Sequence, residues 1–207
     1  MEAAVAFPSI LLIVGLAYIV IFGGLALLRR EGLSLRLAVE SIVLTVLFAV
    51  LALVGMGVHP VVFLFILYLV TMRVRLLVEL ATILAKRGNF GASERLFDLS
   101  LRLWPDQTSR LIVKVNHGTS LLQQGRLDEA LAMFKDILAQ KSSGFLGRKY
   151  EAAAQYNLGV AYLRKNMEGP ATVAFNTAID TLPASEYARG AAQALEKQRH
   201  KSSPEST

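Results

Sequence analysis

Side chains able to do acid–base or ligand chemistry are few in this sequence. It holds three histidines, His59, His117 and His200, and no cysteine. A metal centre needs three or four converging ligands, and a nucleophilic triad needs a base oriented beside the attacking group. The histidines are far apart: one lies between two apolar runs, one at a helix position of the packing type, one in a polar tail. No glycine-rich phosphate loop or dinucleotide fingerprint occurs, and no carboxylate pair has a spacing that suggests catalysis. The reading is therefore of a chain with no enzymatic centre, no cofactor and no metal. The missing cysteines also exclude a disulfide-stapled extracellular module.

The side chains that remain must be placed by elements of two different kinds. Of 207 residues, 54% are hydrophobic and 18% charged, which is too apolar for an ordinary soluble domain. The first 72 residues carry only three arginines (Arg29, Arg30, Arg36) and three glutamates (Glu2, Glu31, Glu40). The whole net charge of +6 falls on the second part, so a membrane portion is followed by a water-facing one.

Phe7 to Leu28 is an uncharged run of 22 residues, about 33 Å as a helix, against a hydrocarbon core of roughly 30 Å. A cleaved secretory signal would carry basic residues ahead of a shorter apolar core. Ser41 to Met72 is uncharged over 32 positions, about 48 Å as one helix, which is too long for one span. Gly55, Gly57, His59 and Pro60 interrupt it and predict a helical hairpin. The expected spans are 7–28, 37–57 and 60–77, the third borrowing Arg73 to Leu77, with Arg73 and Arg75 snorkelling to the interface. Glu40 stands one turn after Arg36 and predicts an i,i+4 pair at headgroup level. Basic residues follow the first and third spans and are absent from the Gly57–Pro60 link. The positive-inside rule then puts the N-terminus outside and the repeat domain in the cytoplasm, in a plasma or inner membrane. Gly15, Gly23 and Gly24 suit close helix packing.

The second part repeats itself. Three windows, from Leu76, Lys114 and Gln155, share one grammar. A small residue (Ala81, Gly118, Gly159) is followed by a large one (Leu84, Leu121, Tyr162) and a polar turn (Gly88-Asn89, Gly125-Arg126, Asn166-Met167). Then come a second small residue (Ser93, Ala130, Ala171) and an aromatic (Phe97, Phe134, Phe175), with Pro105 and Pro183 closing two of the windows. Small residues let antiparallel helices meet closely, and units of this length must stack to bury their apolar faces.

These windows resemble tetratricopeptide repeats. The resemblance implies an all-α fold: three transmembrane helices, then a short α-solenoid of three hairpins over 74–107, 111–140 and 152–184. Residues 186–200 read as a cap helix and 201–207 as a disordered tail. No breaker separates Pro60 from Arg87, so the third span is expected to run on into the first repeat helix, without a loose tether.

In this family the first helices of the repeats line a concave groove. Carried over position by position, the resemblance implies Arg75, Val78, Thr82, Ala85 and Lys86 from the first unit. The second gives Ile112, Val115, Thr119, Leu122 and Gln123; the third gives Ala153, Tyr156, Val160, Leu163 and Arg164. This is an apolar floor with a basic edge at Lys86 and Arg164, suited to a protein or peptide segment with hydrophobic anchors and an acidic residue or terminal carboxylate. The clamp of chaperone-binding members is not matched: Val78, Thr82, Ala153 and Asn157 stand where Lys, Asn, Lys and Arg belong. No dense basic patch with interleaved aromatics points to nucleic acid.

The expected function is a membrane-anchored adaptor or scaffold that binds a protein partner and lies against the lipid bilayer. The alternatives are a structural subunit or assembly factor contacting other membrane-complex subunits, and a lipid-handling accessory.

Overall fold

The computed structural model describes residues 2–28, 35–140 and 146–202, in which every regular element is a helix. The helices are α1 (Glu2–Leu28), α2 (Leu35–Leu53), α3 (Pro60–Lys86), α4 (Phe90–Arg102) and α5 (Gln107–Gln123). They continue with α6 (Leu127–Ala139), α7 (Arg148–Arg164), α8 (Glu168–Thr181) and α9 (Glu186–Ser202). Arg29, Arg30, part of the expected linker between the second and third repeats and most of the expected tail lie outside the described residues.

Helices α1, α2 and α3 are long and apolar enough to cross a membrane. They pack on one another around Leu11, Tyr18, Phe63 and Leu67, and turn valine, leucine and isoleucine side chains outward. A water-facing bundle would hide such residues. Gly15 makes this packing close, because a Cβ there would overlap the Thr45 side chain. Around Gly24 there is open space, so packing does not require glycine there. Polar side chains between the helices bond locally or across: Thr45 donates to the Ser41 carbonyl (2.6 Å), and the Tyr18 and Thr71 hydroxyls meet at 2.5 Å.

Helix α2 ends at Leu53, four residues before the bound expected from the apolar run. Gly55 takes a φ of +82°, and the Gly55 and Met56 amides donate back to the carbonyls of Ala52 (3.2 Å) and Leu51 (2.9 Å). Such a left-handed closure satisfies the helix's last carbonyls and stops it. His59 then caps α3, its Nδ1 accepting from the Val61 amide at 3.3 Å, with Pro60 in the first turn.

Helix α3 is unbroken for 27 residues. Its first part packs with α1 and α2, and its second part places Val74, Val78 and Ala81 in a core shared with Phe97 of α4 and Val113 of α5. From there consecutive helices pack together: α3 with α4, α5 with α6, α7 with α8, and α9 against α8 and α7. Helix α5 starts four residues earlier than expected because Asp106 caps it, accepting from the Ser109 amide at 2.7 Å. Helix α7 likewise starts at Arg148, and α9 extends two residues into the segment expected to be tail.

The repeat grammar has a direct packing cause. Phe97, Phe134 and Phe175 are all fully buried. A Cβ on Gly118 would come within 2.7 Å of the Phe134 ring, and one on Gly159 within 2.6 Å of the Phe175 ring. Phe134 and Phe175 thus each fill the notch left by the glycine of the partner helix, and Phe97 is buried in one core with Ala81. Loss of one such ring would cost about 3–5 kcal/mol.

Candidate protein-binding groove

Helices α5 and α7 are the first helices of the second and third repeats, and the later turns of α3 serve the same place in the first. They neighbour one another in order, with α9 next to α7. Their last residues are Lys86, Gln123 and Arg164, all exposed. Neighbouring helices stand about 8–10 Å apart, and these three residues hold the same place at the ends of their helices. They lie at helix C-termini, where orphan carbonyls concentrate negative potential. Arg164 answers it directly: its Nη1 donates to the Leu122 carbonyl at 2.6 Å, linking the third repeat to the second.

In the preceding turns, the polar candidates are turned onto their own helices. Thr82 donates to the Val78 carbonyl and Thr119 to the Val115 carbonyl, both at 2.8 Å. Asn116 and Asn157 do likewise with Ile112 (2.8 Å) and Ala153 (2.9 Å). Arg75 is half-buried. The apolar candidates Val78 and Leu122 are only 2% and 3% exposed, so their part in any groove is to shape it from below. Val115, Ala85 and Ala153 are buried in the same way. Leu163 and Val160 are half-buried against the cluster around Phe175. Tyr156 faces α9, its ring 6.0 Å from that of Phe175 and 6.2 Å from that of Tyr187. A Cβ on Gly190 would touch it at 2.9 Å.

The repeats are also tied together outside the groove. Arg126, in the turn of the second unit, pairs with Glu94 of the first and with Glu129 (2.5 Å); Lys165, at the turn of the third, pairs with Asp128 of the second. Arg126 holds the Glu129 carboxyl below the usual carboxylate range. These exposed pairs contribute little individually, because solvent screens them. Sequence reading did not single out Glu94 and Asp128 as partners, because they lie more than thirty positions from Arg126 and Lys165. Their one local sign is a basic residue at each turn.

His117 stacks on Phe97 with ring centroids 5.0 Å apart. Burial pushes its imidazole below the ordinary value of 6.5, while Asp98 and Glu94 pull the other way. Nothing metal-like surrounds it: among the described residues no three His, Asp or Glu side chains gather as a ligand set.

A second constellation joins the apolar helices to the repeats. Glu40 of α2 accepts from Arg36 Nε at 2.6 Å and from both terminal nitrogens of Arg73 at 2.7 Å. Arg73, expected to snorkel to the interface, is held there on Glu40 by a bidentate pair. Arg36 Nη2 also donates to the Leu103 carbonyl at the end of α4, at 2.8 Å. One carboxylate and two guanidinium groups therefore bind α2, α3 and the first repeat to each other.

The tetratricopeptide-repeat pattern matches residues 73–143 and again 109–184, together more than half of the chain. The chain belongs to the tetratricopeptide-repeat family. The repeats begin within α3, just past the last residue of the uncharged run, and end with α8. Tetratricopeptide repeats are non-catalytic scaffolds for protein interaction, and no catalytic constellation stands among the described residues. No curated protein and no solved structure matches the chain.

Proposed function

We propose that the protein is a membrane-anchored adaptor, in which three spans hold the tetratricopeptide repeats against the cytoplasmic face of a bilayer and the repeats recruit a protein partner. The observation that carries this reading is α3. One unbroken helix contributes Phe63 and Leu67 to the apolar three-helix core and Val78, Ala81 and Ala85 to the first repeat. A repeat domain built on such a helix turns with its anchor, and the Arg36–Glu40–Arg73 cluster stiffens the same junction. A soluble scaffold would need none of this. The orientation rests on the arginines after the first and third apolar runs.

The partner surface we favour is the rim of Lys86, Gln123 and Arg164, with Arg75, Thr82 and Thr119 behind it. Val78, Leu122, Tyr156 and Leu163 fix its shape from within. Two exposed cations on a short row select for an acidic residue or a terminal carboxylate.

Affinity capture of the full-length protein from mild detergent tests this, with Lys86→Glu and Gln123→Glu together as the comparison. Arg164 is left intact because it caps α5. The expected result is loss of a specific partner from a variant that still melts cooperatively at a slightly lower temperature, since each glutamate meets the negative end of a helix dipole. An undiminished set of membrane-protein partners would overturn the groove and favour a structural subunit of a membrane complex.

A further inference from the structure

The side chain of Trp104 is 85% exposed, and its backbone has a φ of +49°. A bulky residue rarely adopts that region. Three other repeat-domain helices end in a left-handed residue, at Gly88, Gly125 and Asn166. There the left-handed residue and its successor both donate back to the preceding turn: Gly88 to Ala85 and Asn89 to Leu84 (both 2.9 Å), Gly125 to Leu122 (3.1 Å) and Arg126 to Leu121 (3.0 Å), Asn166 to Leu163 (3.0 Å) and Met167 to Tyr162 (2.9 Å). That closure offsets the unfavourable backbone. At Trp104 it cannot form, because the next residue is Pro105, which has no amide hydrogen. A tryptophan thus occupies a glycine position without the usual compensation, and its indole is turned out of the repeat domain.

The position of this turn suggests why. The Leu103 carbonyl, directly before Trp104, is held by Arg36 at 2.8 Å. Arg36 is the second residue of α2, and Leu35 before it is 78% exposed. Leu35 heads an outward apolar row that continues through Val39, Ile42 and Val46. Trp104 therefore stands at the upper edge of the apolar outer surface of α1–α3. Glu40, bound to Arg73, marks the end of the uncharged stretch, and Leu35 lies about 7 Å further along the helix axis. The headgroup layer on each side of a bilayer is roughly 5–7 Å thick.

We infer that Trp104 is an interfacial anchor, whose indole reaches through the headgroup layer toward the acyl boundary and seats the underside of the first repeat on the lipid surface. An indole has an apolar body and one N–H donor, which suits that boundary and neither side of it. Arg102, exposed in the last turn of α4, adds a charge favourable to anionic headgroups. The inference rests on the reading of α1–α3 as spans, and it adds a fourth, peripheral point of contact that fixes how the repeats tilt.

The chain has one tryptophan, so its intrinsic fluorescence reports this residue alone. The full-length protein is reconstituted into vesicles of phosphatidylcholine and phosphatidylglycerol, brominated either near the headgroup or near the acyl-chain end. Iodide is supplied on both sides of the membrane, and resistance to alkaline extraction is measured on the same vesicles. The expected result is loss of emission with bromine near the headgroup, a smaller loss with deep bromine, and little quenching by iodide. Emission insensitive to both lipids and quenched by iodide, from protein that resists extraction, would overturn the anchor and leave the spans standing; Trp104 would then be a site for a protein partner. Protein released by alkali would overturn the spans and the anchor together.

Discussion

Replacing Gly159 with alanine should weaken the repeat domain, although alanine is the better helix former. A Cβ at that position would lie 2.6 Å from Phe175 Cε1, 2.7 Å from Cδ1 and 3.1 Å from Cγ, where carbon atoms normally rest about 3.5–4.0 Å apart. The ring is fully buried, and a close-packed interior gives it nowhere to swing, so α7 and α8 must part by about 1 Å. Overpacking of this kind costs about 1–3 kcal/mol, and overlap on three ring atoms places this case in the upper half of that range. Helix propensity returns roughly 1 kcal/mol. The net loss is about 1–2 kcal/mol, which for a repeat domain of this size lowers Tm by about 4–8 °C. Thermal unfolding of the full chain in mild detergent, followed by far-ultraviolet circular dichroism, measures it. Gly169→Ala serves as the control, since a Cβ there meets nothing within 4 Å; its Tm should hold or rise. Adding Phe175→Leu to Gly159→Ala should recover part of the loss, because the smaller side chain makes room. A Gly159→Ala protein that melts at or above the wild-type temperature would refute the notch-and-ring account of these repeats.

Two further outcomes follow from the polar contacts. Glu40→Gln removes the charge that joins Arg36 and Arg73 and should cost about 1–2 kcal/mol, between the exposed and buried limits for ion pairs; the same melting assay reads it, and an unchanged Tm would mean that the cluster does not clasp α2 to α3. His117 is held below its ordinary value of 6.5 by burial, so the unfolded chain takes up the proton first as pH falls. Stability is present above pH 6.5 and is lost as pH drops from there through the folded-state value. Tm should decline over that window, and His117→Phe, which keeps a ring against Phe97, should flatten the decline; an equal decline in both proteins would assign the loss to other groups.

The parts of this protein that were legible in its sequence are those set by local pattern. An uncharged run of span length leaves few options for a backbone that must satisfy its own hydrogen bonds. The alternation of small residue, turn, small residue and aromatic works within one hairpin, so Gly118 with Phe134 and Gly159 with Phe175 could be paired by spacing alone. Helix ends were less legible. Gly55 stopped α2 earlier than hydropathy suggested, and Asp106 started α5 earlier than the repeat pattern did, because a cap is decided by one residue's hydrogen bonds and not by periodicity.

The candidate groove was legible only as a set of positions. Spacing could place Lys86, Gln123 and Arg164 at the ends of first helices, but it could not say that Arg164 spends a donor on the Leu122 carbonyl. Nor could it say that Tyr156 packs against Phe175 of α8 and Tyr187 of α9. The sequence by itself determined the class of each half: apolar helices of span length, then stacked hairpins of one repeat family, each specified by residues a few positions apart. Tertiary structure decided how the halves are joined. Arg73 meets Glu40 across 33 positions, and Arg36 reaches Leu103 across 67. Contacts of that separation depend on where whole helices come to rest, and only after α2, α3 and α4 had packed did Trp104 come to stand beside the end of α2.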